Sequence, residues 1–337
     1  MEVSTGRLSL AHPVYSVNKT KILEKIATLE ENPLLQLEKL VNIRNPAEHE
    51  LGFCAQWLLD NMLVSPGRPY TYEAIDTSDI NVMLNHNDVS ESLKISPDGL
   101  EARCDTASFE SVRSTFHVTH GVWYYEATII TSGIMQIGWA TKESSFGNHD
   151  GSGIGDDEYS VSYDGCRQKL WHNAKNMSCN YRPWRSGDIF GTLLDLDEQK
   201  VSFFINGDLV AGPHTDVFKS ARNSSGFFAA ASFMAFQHCR FNFGGRKTPF
   251  AYPPPASYSS FNDFGKLNDD ERRILPKPKM FELIQADLSD DACFVCCSEP
   301  GLVKLLPCGH SGYCGKCAQI LQFCPQCRSQ ISSRLEV

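Results

Sequence analysis

The stretch Cys293-Phe-Val-Cys296, Cys308-Gly-His310, Cys314-Gly-Lys-Cys317, Cys324-Pro-Gln-Cys327 gathers seven cysteines and one histidine into one short segment. A C-x-x-C pair sits on a tight turn that points both sulfurs at one place, and eight such donors suffice for two four-coordinate zinc ions. A disulfide framework is the competing reading of so many cysteines, yet a histidine at a ligand position has no role in one. A segment this small buries little core, so bound metal has to supply much of its folding energy. Zinc closed in by four protein ligands has no open coordination position, which makes the site structural and its thiolates poor nucleophiles. Such a segment either holds shape alone or offers partners a surface that the metal keeps rigid.

The ligand order, C-x-x-C, C-x-H, C-x-x-C, C-x-x-C, resembles that of a cross-braced RING finger. That resemblance implies that Cys293, Cys296, Cys314 and Cys317 share one ion, while Cys308, His310, Cys324 and Cys327 share the other. It also implies a shallow apolar groove for a ubiquitin-conjugating enzyme, at Val295 before the second cysteine, Leu321 four residues after Cys317, and Pro325 after Cys324. Arg328, directly after the last ligand, resembles the linchpin arginine that bridges the conjugating enzyme and ubiquitin. The compact Leu306-Pro-Cys-Gly-His310 spacing and the tail Ser329–Val337, with Ile331, Leu335 and Val337, are similar to RINGs of the inhibitor-of-apoptosis type, which implies a RING homodimer.

Outward from this segment the chain has 337 residues, 42% of them hydrophobic and 11% aromatic, enough for about two domains with a real core. A net charge of −9 argues against a nucleic-acid-binding role, which favours basic domains. From Cys293 to Val337, four basic residues (Lys304, Lys316, Arg328, Arg334) face two acidic ones (Glu299, Glu336), so 4 − 2 leaves only +2. Cys54, Cys104, Cys166, Cys179 and Cys239 are scattered without framework spacing, as suits reduced thiols in the cytosol, and Cys297 adjoins a ligand. No apolar run reaches membrane-spanning length. Met1-Glu-Val-Ser-Thr-Gly-Arg7 lacks the basic-then-apolar pattern of a signal peptide, so a cytoplasmic protein is expected.

Between about Asn18 and Val64 the apolar spacing predicts helices, with Leu51, Ala55, Leu58 and Met62 on one face of Glu48–Leu63. Past Asp88 the pattern changes to short strands and turns. Leu93–Ser96, Leu100–Arg103, Gly121–Ile130, Ile134–Ala140, Tyr159–Gly165, Asp188–Asp197, Lys200–Gly207, Phe227–Met234 and Cys239–Phe243 read as strands of an antiparallel β-sandwich. The glycine-rich Gly151-Ser-Gly-Ile-Gly155 is followed by Asp156, Asp157 and Glu158, which would repel a phosphate, so it reads as a loop. Neither G-x-S-x-G nor H-E-x-x-H occurs. His117, His120, His149, His172, His214 and His238 show no metal-site spacing. The long stretch Lys142–Asp157 reads as surface. Trp171 and Trp184, which flank turns, are the aromatic candidates for holding a substrate protein at a loop edge.

These strands resemble the SPRY domain. The residues that carry the likeness are Gly121–Ile129, Ile137-Gly-Trp-Ala140, Tyr163-Asp-Gly165, Leu193–Asp197, Asn206-Gly207, Asn242-Phe-Gly244 and Tyr252-Pro-Pro254, in the family's order. SPRY domains bind peptides or protein surfaces through loops and carry no catalytic chemistry. The expected organisation is a helical segment at 1–87, a SPRY (B30.2-like) sandwich at 88–255, a linker at 256–290 and a RING with tail at 291–337. With the terminal RING, the chain most closely resembles the RING finger and SPRY domain-containing protein family. The resemblance implies a RING-type ubiquitin ligase, acting without a covalent intermediate, with two zinc ions, and with a ubiquitin-conjugating enzyme, ubiquitin and a substrate protein as partners. A binding adaptor and a zinc-dependent nucleic-acid binder are the alternatives from other classes. Members of that family can carry a secretory signal, so a shortened form of such a chain would be secreted.

Overall fold

A computed structural model describes residues 23–26, 28–41, 48–65, 67–145, 151–221, 224–287, 293–295 and 299–336. Two units divide the chain: one comprises Leu35–Met62 with Arg68–Ile274, and the other includes Leu275–Val337. In chain order, helices α1 (Pro33–Val41), α2 (His49–Asn61) and α3 (Thr71–Ala74) precede strands β1 (Leu84–Val89), β2 (Leu93–Ile95), β3 (Glu101–Cys104) and β4 (Glu110–Val118). Next come β5 (Val122–Ile129), β6 (Met135–Thr141), β7 (Ser160–Asp164), β8 (Lys169–His172) and β9 (Lys175–Ser178). They are followed by β10 (Ile189–Asp195), β11 (Lys200–Ile205) and β12 (Asp208–His214). A short helix, α4 (Val217–Ser220), leads to β13 (Phe227–Phe233) and β14 (His238–Asn242), after which β15 (Ser259–Ser260) runs into α5 (Phe261–Phe264).

The strands form two sheets, ordered β1-β4-β13-β6-β7-β8-β9 and β12-β11-β10-β5-β14-β3-β2, with β15 added in parallel to β5. Every other pairing in them is antiparallel, so the mainly β sandwich expected from the sequence is what forms. Its inner faces meet over large aromatic side chains, and Tyr125 and Trp139 have their polar tips bonded. The Tyr125 hydroxyl donates to the Gly138 carbonyl (2.5 Å), and Trp139 Nε1–H donates to Thr192 Oγ1 (2.8 Å). Full burial of aromatics with a bonded polar end is the packing such residues favour.

The structure corrects several sequence expectations. The sandwich core takes in Val82 and Leu84, upstream of the expected start at 88. Strands β1, β4, β8, β9, β12 and β15 are additional to the expected set. Residues at the start of the expected linker belong to this core: Phe261 is 0% exposed and packs edge-on against Tyr125 and Trp123. Polar Ser/Asn neighbours hide that role in the sequence, because a single aromatic knob has no periodicity. Nor is all of Lys142–Asp157 surface. Ile154 is 0% exposed; its N–H donates to Ser232 Oγ (2.8 Å) and its carbonyl accepts from Ser162 (2.5 Å). Gly153 and Gly155 allow this close approach, since a Cβ on either would collide with Gln136 or with Ser162 and Trp171. Residues 146–150 of that stretch lie outside the described residues.

Helix α2 is where a helix was expected but shows a different face. Leu51 and Met62 are exposed, while Phe53, Ala55 and Leu59 are buried. The reason is the surface beneath it, a charged face of the second sheet. Glu50 pairs with Arg103, Lys94 lies 3.9 Å over the Trp57 ring, and His49 reaches Glu101. Against the upward pull of burial, bonds from His238, His49 and Arg240 hold the Glu101 carboxyl well below the usual carboxylate range.

The other unit carries α6 (Lys277–Asp287), β16 (Val303–Leu306), α7 (Gly315–Ile320) and β17 (Ser333–Glu336). The tail strand β17 pairs antiparallel with β16, from Val303 opposite Glu336 to Leu306 opposite Ser333. Among the described residues, Val303, Leu305, Tyr313, Ala318 and Cys324 make up its principal buried apolar cluster. The phenyl ring of Phe294 crosses Gly312, which holds φ +97° and has no room for a Cβ. No helix among the described residues is long and apolar enough to cross a membrane.

Candidate metal centre and partner surfaces

In the C-terminal unit the ligand-type side chains collect in two groups, and the groups interleave along the chain. Cys293, Cys314 and Cys317 bring their sulfurs within 4.8 Å of one another; Cys308, His310, Cys324 and Cys327 do the same with their own donors. Local backbone explains the convergence. Cys314 caps α7, its sulfur accepting from the Cys317 N–H (3.4 Å), so two ligands share the helix's first turn. The loop Leu305–His310 folds back on itself: the Leu305 N–H donates to the His310 carbonyl (2.7 Å) and Gly309 N–H to the Leu305 carbonyl (2.7 Å). His310 turns Nδ1 inward, 3.5 Å from Cys324 Sγ. Donors around a four-coordinate zinc at bond lengths of about 2.0–2.3 Å stand roughly 3.5–3.8 Å apart, a spacing the His310–Cys324 pair already has. Cys296 and Cys297 lie outside the described residues.

Beside these clusters, Val295 and Leu321 are half-buried and pack against the small apolar core. Pro325 is also half-buried. Their outer neighbours Ile320 and Phe323 are exposed. Arg328 is exposed in a left-handed backbone conformation (φ +58°), its N–H bonded to the Cys324 carbonyl (2.7 Å). Its guanidinium bonds to no other described residue.

On the sandwich, Trp184 is not a surface anchor. It is 2% exposed, lies against Gly165, and donates from Nε1 to the Gly133 carbonyl (3.1 Å). The turn it flanks is outward, but the ring fills the space that Gly165 leaves open. Trp171, by contrast, is half-buried with the Arg167 guanidinium 4.6 Å over its ring. Sequence reasoning missed Phe236. It is 62% exposed and holds φ +63°, a conformation costly for a bulky residue. Its N–H donates to the Cys104 carbonyl (2.7 Å). The adjacent Gln237 Oε1 accepts from Gly133 N–H (2.7 Å) and Thr131 Oγ1 (2.9 Å), which stiffens this end of the sandwich. The signal was a large aromatic at a β13–β14 turn where Gly or Asn is the usual choice.

Comparison with known families matches residues 122–246 to the SPRY domain and residues 289–334 to the C3HC4-type RING zinc finger. Among curated proteins, E3 ubiquitin-protein ligase RKP of Arabidopsis thaliana is 34% identical over 147 residues, which is 44% of this chain and 11% of that protein. Probable ATP-dependent RNA helicase ddx1 of Dictyostelium discoideum is 28% identical over 149 residues, 44% of this chain and 18% of the relative. ATP-dependent RNA helicase Ddx1 of Drosophila melanogaster is 29% identical over 171 residues, 50% of this chain and 22% of the relative. The chain thus spans only about a tenth to a fifth of the length of the curated relatives it matches. Relatives with such different names illustrate that a shared domain does not fix an activity. Taken with the two interleaved clusters, these matches identify the chain as a protein that combines a SPRY domain with a C-terminal RING finger of the C3HC4 type.

Proposed function

We propose that this chain is a RING-type ubiquitin ligase whose RING holds a charged ubiquitin-conjugating enzyme and whose SPRY sandwich holds the substrate protein. The interleaving of Cys293, Cys314 and Cys317 with Cys308, His310, Cys324 and Cys327 carries the reading. With Cys296 completing the first group, each group takes one zinc ion, two in all. Zinc in such sites supplies rigidity and no chemistry of its own. Val295, Leu321 and Pro325 form the floor of the conjugating-enzyme groove, and the exposed Ile320 and Phe323 beside it support that role. Arg328, whose guanidinium has no partner among the described residues, reaches across to ubiquitin. The similarity to a ubiquitin ligase supports the same assignment.

In the reaction an amine of the substrate attacks the thioester carbonyl of the charged conjugating enzyme. A C–N bond forms, the C–S bond breaks, and the thiol stays on the conjugating enzyme. This chain contributes proximity and orientation, which make a bimolecular transfer effectively intramolecular. Substrate docks at the end of the sandwich bearing Phe236, a rigid exposed aromatic of the kind enriched at binding hot spots, with Trp171 as a second candidate. Discharge of a ubiquitin-charged conjugating enzyme, followed with and without the full chain, tests the reading. Accelerated discharge with no ubiquitin thioester on this chain is the expected result. Binding without acceleration would leave an adaptor, and a thioester on one of its cysteines would mean a different mechanism.

A further inference from the structure

Three ligand-type side chains that belong to neither cysteine cluster converge on one point of the sandwich unit. His49 opens α2, Glu101 opens β3 and His238 opens β14. His49 Nε2 lies 2.8 Å, and His238 Nε2 3.0 Å, from the same carboxylate oxygen, Glu101 Oε2. All three atoms lie within 4.8 Å of one another. The other carboxylate oxygen, Oε1, is taken by Arg240 (2.5 Å), whose guanidinium is in turn held by Asp98 (2.7 Å). The His238 and Glu101 side chains are 0% and 7% exposed, whereas His49 is 41% exposed.

Two imidazoles that merely needed acceptors would not have to share one oxygen. Here both Nε2 atoms aim at it from hydrogen-bond distance. A four-coordinate ion with bonds of about 2.0–2.1 Å would hold its ligands roughly 3.3–3.4 Å apart, so its entry opens the cluster by about half an ångström. The donor set is two imidazole nitrogens and one carboxylate oxygen. Imidazole suits zinc and its first-row neighbours, while calcium and magnesium prefer oxygen alone. Arg240 fixes the carboxylate from behind, as partners of ligating carboxylates do, and Asp98 offsets its charge.

We propose that His49, Glu101 and His238 form an open two-histidine, one-carboxylate site for a borderline divalent cation, zinc in the first instance, with its vacant coordination position on the exposed His49 side. An ion there ties α2 to β3 and β14 and makes docking of the helix metal-dependent. His238 Nδ1 has no hydrogen-bond partner among the described residues. A ligand without that outer bond gives up about 10–100-fold in affinity, so binding in the micromolar range is expected, not the tight retention of a structural site.

The test uses the full chain equilibrated at fixed micromolar free zinc, with bound metal measured by elemental analysis and the sandwich melt followed with and without zinc. The comparison is wild type against His49→Ala, a change at a part-exposed helix start that leaves the core intact. Wild type is expected to hold one zinc equivalent more than His49→Ala, and zinc should raise the sandwich melt in wild type only. Because the readout is a difference, it does not depend on how many ions the cysteine clusters hold. Cys308→Ser, which empties one of those clusters, should leave the difference unchanged. Equal zinc in wild type and His49→Ala would overturn the proposal, even if the variant melts lower, since that pattern means a hydrogen-bonded clasp alone.

Discussion

The sandwich and the RING solve the same problem by opposite means. The sandwich buries Trp139, Tyr125, Phe203, Phe233 and Phe261 among other large side chains, and closes its core with apolar volume. The RING unit buries little beyond Val303, Leu305, Tyr313 and Ala318, and has two donor clusters where a larger domain would have apolar volume. The difference teaches that burial scales with size: a small unit leaves most of its surface exposed and must be stapled. It also divides the labour, because a metal-stapled unit is a fixed platform while a sandwich leaves its end loops free to vary.

Removing metal should break the comparison most sharply. Cys308→Ser, or chelation, should unfold the RING and abolish ligase activity, because structural zinc sites contribute about 10–16 kcal/mol of apparent binding energy to folding. In Cys308→Ser the sandwich transition should stay where it was in a thermal melt. If both units melt together, their stabilities are not separate.

Next in size are core truncations of the sandwich. Phe261→Ala and Trp184→Ala should each cost about 3–5 kcal/mol, read as a lowered sandwich melt with RING zinc content unchanged. Trp171→Ala should cost less than these, since the half-buried ring loses part of its packing and a cation–π contact with Arg167 worth about 0.5–1 kcal/mol. A sandwich that tolerates Phe261→Ala would put residues 259–264 back outside the core.

Smaller effects separate docking from transfer on the RING. Val295→Ala or Leu321→Ala should weaken conjugating-enzyme binding. Arg328→Ala should leave that binding nearly intact and slow discharge by about tenfold, some 1.4 kcal/mol of transition-state stabilisation. Equal losses of binding and rate in Arg328→Ala would make it part of the groove instead.

The smallest stability change is expected at Phe236. In Phe236→Gly, relief of about 1 kcal/mol of backbone strain is offset by glycine's entropic cost of roughly 0.5–1 kcal/mol. Melting should therefore barely move while capture of substrate by the full chain falls. Retained capture would remove this end of the sandwich as the docking edge.

The sequence by itself determined the RING's ligand inventory and the sandwich's main strands. Donor spacing and the aromatic and β-branched richness of Val122–Ile129 are local properties, written in consecutive residues. It was less informative on β4, although Val112, Phe116 and Val118 alternate with Arg113, Thr115 and His117, because buried serines and Arg113 dilute the pattern. Only tertiary structure decided that Trp184 is core and Trp171 is not: the Trp184 ring fills the space that Gly165 leaves open, whereas the half-buried Trp171 ring lies under the Arg167 guanidinium. Only tertiary structure could turn α2's buried face from Leu51 to Phe53, because the sheet face beneath is charged, not apolar. The meeting of His49, Glu101 and His238 was equally invisible in the chain, for the physical reason that their proximity comes from β3–β14 pairing and helix docking, with 52 and 137 positions between the partners.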